Sequence, residues 1–285
     1  MVNIDVMTYC SGYEPFIFER FIGSLYDTGF NGNVYIIGQE NDSKNVQELQ
    51  KKYNNIRFFN DTFSLPVRPH MRRFFMFEYI LSLMNKGDIT KPDYLLICDG
   101  RDVLFQKNIE QYDYKHNLYF AEEQIKFTED PKYNVQWLLF LERIFSEKFY
   151  DKIKHNHVLC SGTTIGNFDS IYKYVQLMRN VIKEKNWGSF HGDQGIHNYL
   201  YYTNKYDNYI ENIKILKNKE NLINTIGAPL SLKIQNLSSF IIKNGKICDN
   251  TNNEEEVSYI VHQWDRLNDD DRKQISNKYN FMKTR

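Results

Sequence analysis

The sequence predicts an α/β protein with a mostly parallel central sheet, helices on its faces and a small mixed β annex towards the C-terminus. Over the first two-thirds of the chain, strand-like and helix-like segments alternate, the order that yields βαβ units. From about residue 212 the pattern changes to short strands and turns. A chain of 285 residues, 41% hydrophobic, is also long enough to bury a substantial core. One domain spanning 1–285 is expected.

Taken in order, "NIDVMTY" (3–9) is the first strand, and "EPFIFERFIGSLYDTG" (14–29) a helix with Phe18, Phe21, Ile22 and Leu25 on one face and Gly29 as its stop. "NVYIIG" (33–38) is a second strand, "SKNVQELQKKYN" (43–54) a second helix and "IRFFN" (56–60) a third strand. Pro66 and Pro69 mark a loop into the helix "MRRFFMFEYILSLMNKG" (71–87). The fourth strand is "YLLICDGRDVLFQ" (94–106), a core-type run interrupted by Asp99, Gly100, Arg101 and Asp102. Then come the strand "NLYFAEE" (117–123), the helix "NVQWLLFLERIFSEKFY" (134–150), the strand-like "HVLCSGTTIGN" (157–167) and the helix "DSIYKYVQLMRNVIKE" (169–184). "NWGSFHGDQGIHNYLYYTN" (186–204) reads as a loop entering a helix. The annex comprises "IKILKN" (213–218), "SSFIIKNGKICDN" (238–250) and "SYIVHQWDR" (258–266), with an acidic loop at 249–256. A last helix from "DDDRKQIS" is capped by Asp269 or Asp270.

Lys plus Arg equals Asp plus Glu at 36 each, and without a basic stripe a nucleic-acid partner is not expected. Four dispersed cysteines, Cys10, Cys98, Cys160 and Cys248, form no metal-knuckle spacing and fit a reducing compartment. The N-terminus lacks a basic, apolar leader and no run of about 18 apolar residues occurs, so a soluble, cytoplasmic protein is expected. The aromatic segment 133–145 offers a candidate homodimer face, with a core helix as the plainer account.

In an open α/β sheet, ligands bind beyond the carboxyl ends of the strands, where Asp99 and Asp102 fall. Two carboxylates in one turn repel unless a proton or cation lies between them. A hard ion such as Mn²⁺ or Mg²⁺ would relieve that repulsion, and Gly100 would let the backbone turn sharply. The competing account pairs the carboxylates with Arg101 or uses them as caps. Arg72 and Arg73 stand in a helix's first turn, where positive charge opposes the dipole unless an anion binds; solvated arginines near Glu78 are the alternative. "SFHGDQGIHNYL" gathers His191, Asp193, Gln194 and His197 around two glycines, and an N-cap role alone would explain Asp193. His262 and Trp264 follow the last strand, where each reads as easily as a structural residue.

The succession of "DGRD", "SGTTIG", "GDQG" and "VHQW" resembles the GT-A glycosyltransferases, most closely the glycogenin-like retaining group. The resemblance covers most of residues 2–266. It implies a nucleotide-binding half (1–110) and an acceptor and sugar half (111–285). It further implies a nucleotide-diphosphate sugar donor, UDP-sugar foremost, a glycan, protein or small-molecule hydroxyl acceptor, and Mn²⁺ or Mg²⁺ as cofactor. By the same resemblance Asp99, Asp102 and His262 hold the metal, with Asp99 facing ribose or metal because this chain has one residue more than a DxD motif. Thr8 and Tyr9 would flank the base, Ser161, Gly162 and Thr163 would line the sugar pocket, Asp193 and Gln194 form the DQ motif, and Arg72 or Arg73 approaches the donor. Were the reaction to invert, Asp193 or one of Glu122 and Glu123 would be the general base. The rivals are a sugar-nucleotide nucleotidyltransferase, which calls for a glycine-rich phosphate loop, and a non-catalytic carbohydrate or protein interaction module.

Overall fold

The first half of the chain winds strands and helices alternately: β1 (Ile4–Tyr9), α1 (Pro15–Tyr26), β2 (Val34–Gly38), α2 (Ser43–Gln50), β3 (Ile56–Asn60), α3 (Pro69–Lys86), β4 (Tyr94–Asp99) and β5 (Val103–Phe105). There follow β6 (Leu118–Lys126), α4 (Asn134–Phe145), α5 (Tyr150–Ile153), β7 (His157–Asn167), α6 (Phe168–Glu184), α7 (Asp193–Tyr202) and β8 (Ile213–Leu216). The C-terminal part holds β9 (Ile223–Thr225), α8 (Gly227–Ser231), β10 (Phe240–Lys243), β11 (Lys246–Asp249), β12 (Glu256–Val257), β13 (Ile260–His262) and α9 (Asp269–Ser276). This computed structural model describes residues 2–63, 67–185, 187, 190, 192–232, 240–243, 245–249 and 256–276. Pro66, His191 and most of the acidic loop lie outside them.

The helices begin and end where their chemistry dictates. Pro15 and Pro69 open α1 and α3, positions at which a missing N–H costs nothing. Gly87, at φ +86°, ends α3 in the left-handed conformation, which glycine adopts without steric cost. Asn167 caps α6 by accepting from the Ser170 amide at 2.9 Å.

The main sheet has seven strands in the order β3-β2-β1-β4-β7-β6-β8. Neighbours are parallel except at β7, which runs antiparallel to β4 and β6. Successive side chains of a strand point to opposite faces. Met7, Leu95 and Ile97 therefore join the core under α3, α4, α6 and α7, and Val6, Leu96 and Cys98 the core under α1 and α2. With α1 on one face and α3 on the other, the connections around β1 and β4 diverge at the strand ends, leaving a crevice. Tyr9 and Asp99 are register partners there.

The structure departs from the sequence reading in four places. The run 94–106 is two strands, because the chain leaves the main sheet after Asp99 and β5 pairs with β13 in a second sheet of order β5-β13-β9. Its antiparallel register sets His262 opposite Val103, which brings a histidine late in the chain beside Asp102. The expected long helix at 134–150 stops at Ser146, whose φ is +54°, and the brief α5 follows. The cap of α9 is Asn268, whose Oδ1 accepts from the amides of Asp270 and Asp271 at 3.1 and 3.0 Å; neither Asp269 nor Asp270 caps it. β9 and α8 were not anticipated, being too short to show periodicity.

Val135, Leu138 and Leu141 of α4 are buried in the chain's own core, and Trp137, Phe140, Ile144 and Phe145 pack against it. Among the described residues no helix is long and apolar enough to cross a membrane.

Candidate functional site

Asp99, Asp102 and His262 converge. One oxygen or nitrogen from each lies within 4.8 Å of the others, the one grouping of three such side chains found among the described residues. His262 Nε2 stands 3.5 Å from Asp102 Oδ1 and 3.7 Å from Asp99 Oδ2. Both His262 and Asp102 are buried, whereas about 35% of the Asp99 side chain is exposed. The backbone fixes this meeting, since the Gln263 amide donates to the Asp102 carbonyl at 2.8 Å.

Two glycines make room for it. A methyl built on Gly162 would come within 2.5 Å of His262 Cε1 and 2.7 Å of both His262 Nε2 and Asp99 Oδ2. One on Gly100 would meet Cys10 Cβ at 2.8 Å and Thr8 Oγ1 at 3.0 Å. Gly100 lies in the bend that carries the chain from Asp99 to Asp102, and close packing there leaves no room for a side chain.

The two arginines of α3 part company. Arg73 is buried and bridges two carboxylates, pairing with Asp99 Oδ1 and, at 2.7 Å, with Asp193 Oδ2, while Nη2 also donates to the Ser161 carbonyl at 3.1 Å. Arg72 instead reaches Asp61 at 2.7 Å and donates to the Tyr9 hydroxyl at 3.1 Å. Tyr9 in turn donates to Asp61 at 2.5 Å. The charge that opposes the α3 dipole is therefore answered by the protein's own carboxylates. Arg101 makes longer pairs, 3.5 Å to Asp102 and 3.3 Å to Asp265, so the plain account of that arginine holds in part.

Electrostatics follow from this packing. Burial works against charge on Asp99, but Arg73 and His262 outweigh it and hold its pKa below the usual carboxylate range. Burial likewise opposes the Asp102 carboxylate, and His262 overrides it. On His262 burial favours the neutral ring, yet Cys160, Asp102 and Asp99 together raise its pKa well above that of free histidine. Protein with no cation at this site therefore places an imidazolium between two carboxylates, where a divalent ion would take the place of the Nε2 proton.

A cleft of about 350 Å³ beside the cluster is lined by Tyr9, Tyr13, Arg73, Asp99, Arg101 and Asp102 among others. A cavity of about 590 Å³ is lined by Glu123, Tyr133, Asn134, Trp137, Gln194 and Gln263 among others. Asp193, at the first position of α7, accepts from Arg73 and lies 3.4 Å from the Ser161 hydroxyl. Gln194 Oε1 accepts from the Ser161 amide at 3.4 Å and its Nε2 donates to Asn134 at 3.1 Å. Ser161 thus ties the DQ turn to β7.

Thr8 and Thr163 are fully buried and line neither space. Glu122 pairs with His157 at 3.0 Å, whereas Glu123 faces the larger cavity with its pKa pushed up to about 7 by burial. His197 is a core residue, its ring nitrogen 3.2 Å from the Tyr174 hydroxyl and its pKa brought down to about 3 by burial. Trp264 is buried beneath the Arg20 guanidinium, 4.3 Å from the ring centroid. Tyr13, Asp61 and the Cys160 thiol at the histidine went unassigned in the sequence; only the small-residue run around Gly162 hinted at the last.

No protein-family model matches the chain, and no curated protein matches it in sequence. Solved structures do match in fold. The galactosyltransferase LgtC in complex with donor and acceptor sugar analogues aligns over 96% of this chain and 96% of its own, at TM-score 0.54 and 11% identity. An active-site mutant of LgtC aligns over 96% and 95%, at TM-score 0.57 and 12% identity. The central sheet, its flanking helices and the small separate sheet are those of a GT-A-like fold.

Proposed function

We propose that this protein is a metal-dependent hexosyltransferase that moves a sugar from a nucleotide-diphosphate sugar, UDP-sugar foremost, to the hydroxyl of a glycan, protein or small-molecule acceptor. The observation that carries the reading is the meeting of Asp99, Asp102 and His262 around a space that a single methyl on Gly162 would fill. Two carboxylate oxygens and an imidazole nitrogen suit Mn²⁺ or Mg²⁺. Asp102 and His262 would hold the ion, joined by Asp99 through Oδ2 while its Oδ1 stays with Arg73. When bound, the ion supplies Lewis acidity against the charge of a departing diphosphate.

The chain's own residues set the rest. Tyr9 and Tyr13 wall the cleft that would take the nucleotide, and Arg73 brings fixed positive charge to its floor, the preorganised electrostatics that favours leaving-group departure. Asp193, locked by Arg73 and Ser161, would orient the sugar. Gln194 stands at the cavity that would admit the acceptor. Asp193 is already engaged by Arg73 and lies against the Ser161 hydroxyl, a geometry that suits orienting the sugar and supports retention, as in the glycogenin-like group; that finer kinship rests on motif order. One observation favours the inverting alternative: Glu123, with a pKa near 7, lies in the same cavity and could serve as a general base. A nucleotidyltransferase is less well supported, since the β1–α1 connection holds one glycine, Gly12.

The test is donor hydrolysis, which needs no known acceptor. With UDP-, GDP- and TDP-sugars and Mn²⁺, slow release of one nucleoside diphosphate, abolished by chelator, is expected. No release from any donor, together with no metal-dependent thermal shift with any nucleoside diphosphate, would sink the proposal. The anomeric configuration of the free sugar released together with the nucleoside diphosphate, read by NMR before mutarotation, separates retention from inversion.

A further inference from the structure

We propose that Cys160 is the positioning residue of the metal-binding histidine: its sulfur holds the Nδ1 edge of His262 so that Nε2 faces Asp99 and Asp102. The inference rests on the metal-dependent reading above. Cys160 is buried in β7, two residues before Gly162, with Sγ 3.2 Å from His262 Nδ1. The Gly162 amide donates to the same sulfur at 3.4 Å. On its other edge His262 Nε2 has no hydrogen bond of good geometry, although both carboxylates lie 3.5 to 3.7 Å away.

Which ring nitrogen can take a metal is set by the hydrogen bond that the other makes. A nitrogen that binds metal must present its lone pair, so the proton belongs on Nδ1 and the partner of Nδ1 must be an acceptor. Here that acceptor is sulfur. The sulfur already accepts from the Gly162 amide, and its remaining lone pair is available to the imidazole. Histidine ligands usually lean on a carboxylate, a carbonyl or water; in this chain a cysteine sulfur takes that place. Because Cys160 and Gly162 lie on one strand, β7 both aims the ring and clears the space in front of it.

The test uses Cys160→Ala and Cys160→Ser, with near-wild-type circular dichroism of the serine variant as the check on folding. Mn²⁺ binding in the presence of UDP is followed by loss of the free-ion EPR signal. Cys160→Ala should weaken binding by about 10- to 100-fold, the usual effect of losing a ligand's support, and Cys160→Ser, which keeps an acceptor, should recover most of it. Independently of metal, ring-¹⁵N histidine spectra should show a slowly exchanging Nδ1 proton, assigned by its loss in His262→Gln, present in wild type and the serine variant and absent from the alanine variant. Unchanged Mn²⁺ affinity in Cys160→Ala, or no such proton in wild type, would overturn the role of Cys160 alone. A wild-type protein that binds no Mn²⁺ would overturn the metal-dependent reading itself.

Discussion

Replacing Gly162 with alanine should abolish metal binding while leaving a folded protein. The added methyl would lie 2.5 Å from His262 Cε1, whereas carbons in contact settle at roughly 3.5–4.0 Å. The imidazole must therefore retreat by about 1 Å, far more than the tolerance of about 0.2 Å in a ligand distance. Overpacking of this kind costs about 1–3 kcal/mol, and Mn²⁺ affinity should fall at least about 100-fold. Gly166→Ala is the matched control on the same strand. Its methyl would meet the Asn117 carbonyl and Leu118 Cδ1 at 2.7 Å each, so it should cost comparable stability without touching the cluster. Urea unfolding and Mn²⁺ titration on both variants check this. Wild-type Mn²⁺ affinity in Gly162→Ala, or an equal loss of affinity in Gly166→Ala, would refute the reasoning.

Two further outcomes follow from the buried charges. The Glu123 carboxyl rises from 4.5 unfolded to about 7 folded, through burial first. The folded state then binds the extra proton between those values, so this group's contribution to stability falls as pH rises through that window, by about 3 kcal/mol in total. Glu123→Gln should therefore gain on wild type in urea unfolding between pH 5 and 8; parallel pH curves would contradict this. Arg73→Met should lose about 3–5 kcal/mol at neutral pH by stranding Asp99 and Asp193. The loss should shrink as acid protonates Asp99, because stability from its depressed pKa is present above the unfolded value of 3.8 and lost as pH falls below it. A loss independent of pH, measured in the same assay, would count against the bridge.

The alternating pattern made the main sheet and most of its helices legible, and the DxxD turn stood out because carboxylates rarely end a core strand without cause. Other parts depend on partners distant in sequence. His262 reaches Asp102 only through the pairing of β13 with β5, a register that no local signal encodes, and it was expected as a ligand through motif order alone. Arg72 and Arg73 could not be told apart in the sequence. Adjacent helical residues point about 100° apart, and only the packed α3 shows that one faces Asp61 and the other the site. The split of 94–106 escaped notice because β5 is as apolar as β4; its sheet is chosen by β13.

Crystals soaked with Mn²⁺ and UDP, with diffraction recorded at the manganese absorption edge, test the central claim most directly. An anomalous peak bonded to Asp102 and His262 is expected, with the diphosphate beside it in the cleft of Tyr9, Tyr13 and Arg73. A peak elsewhere, or a nucleotide bound away from an empty Asp99–Asp102–His262 cluster, would contradict it.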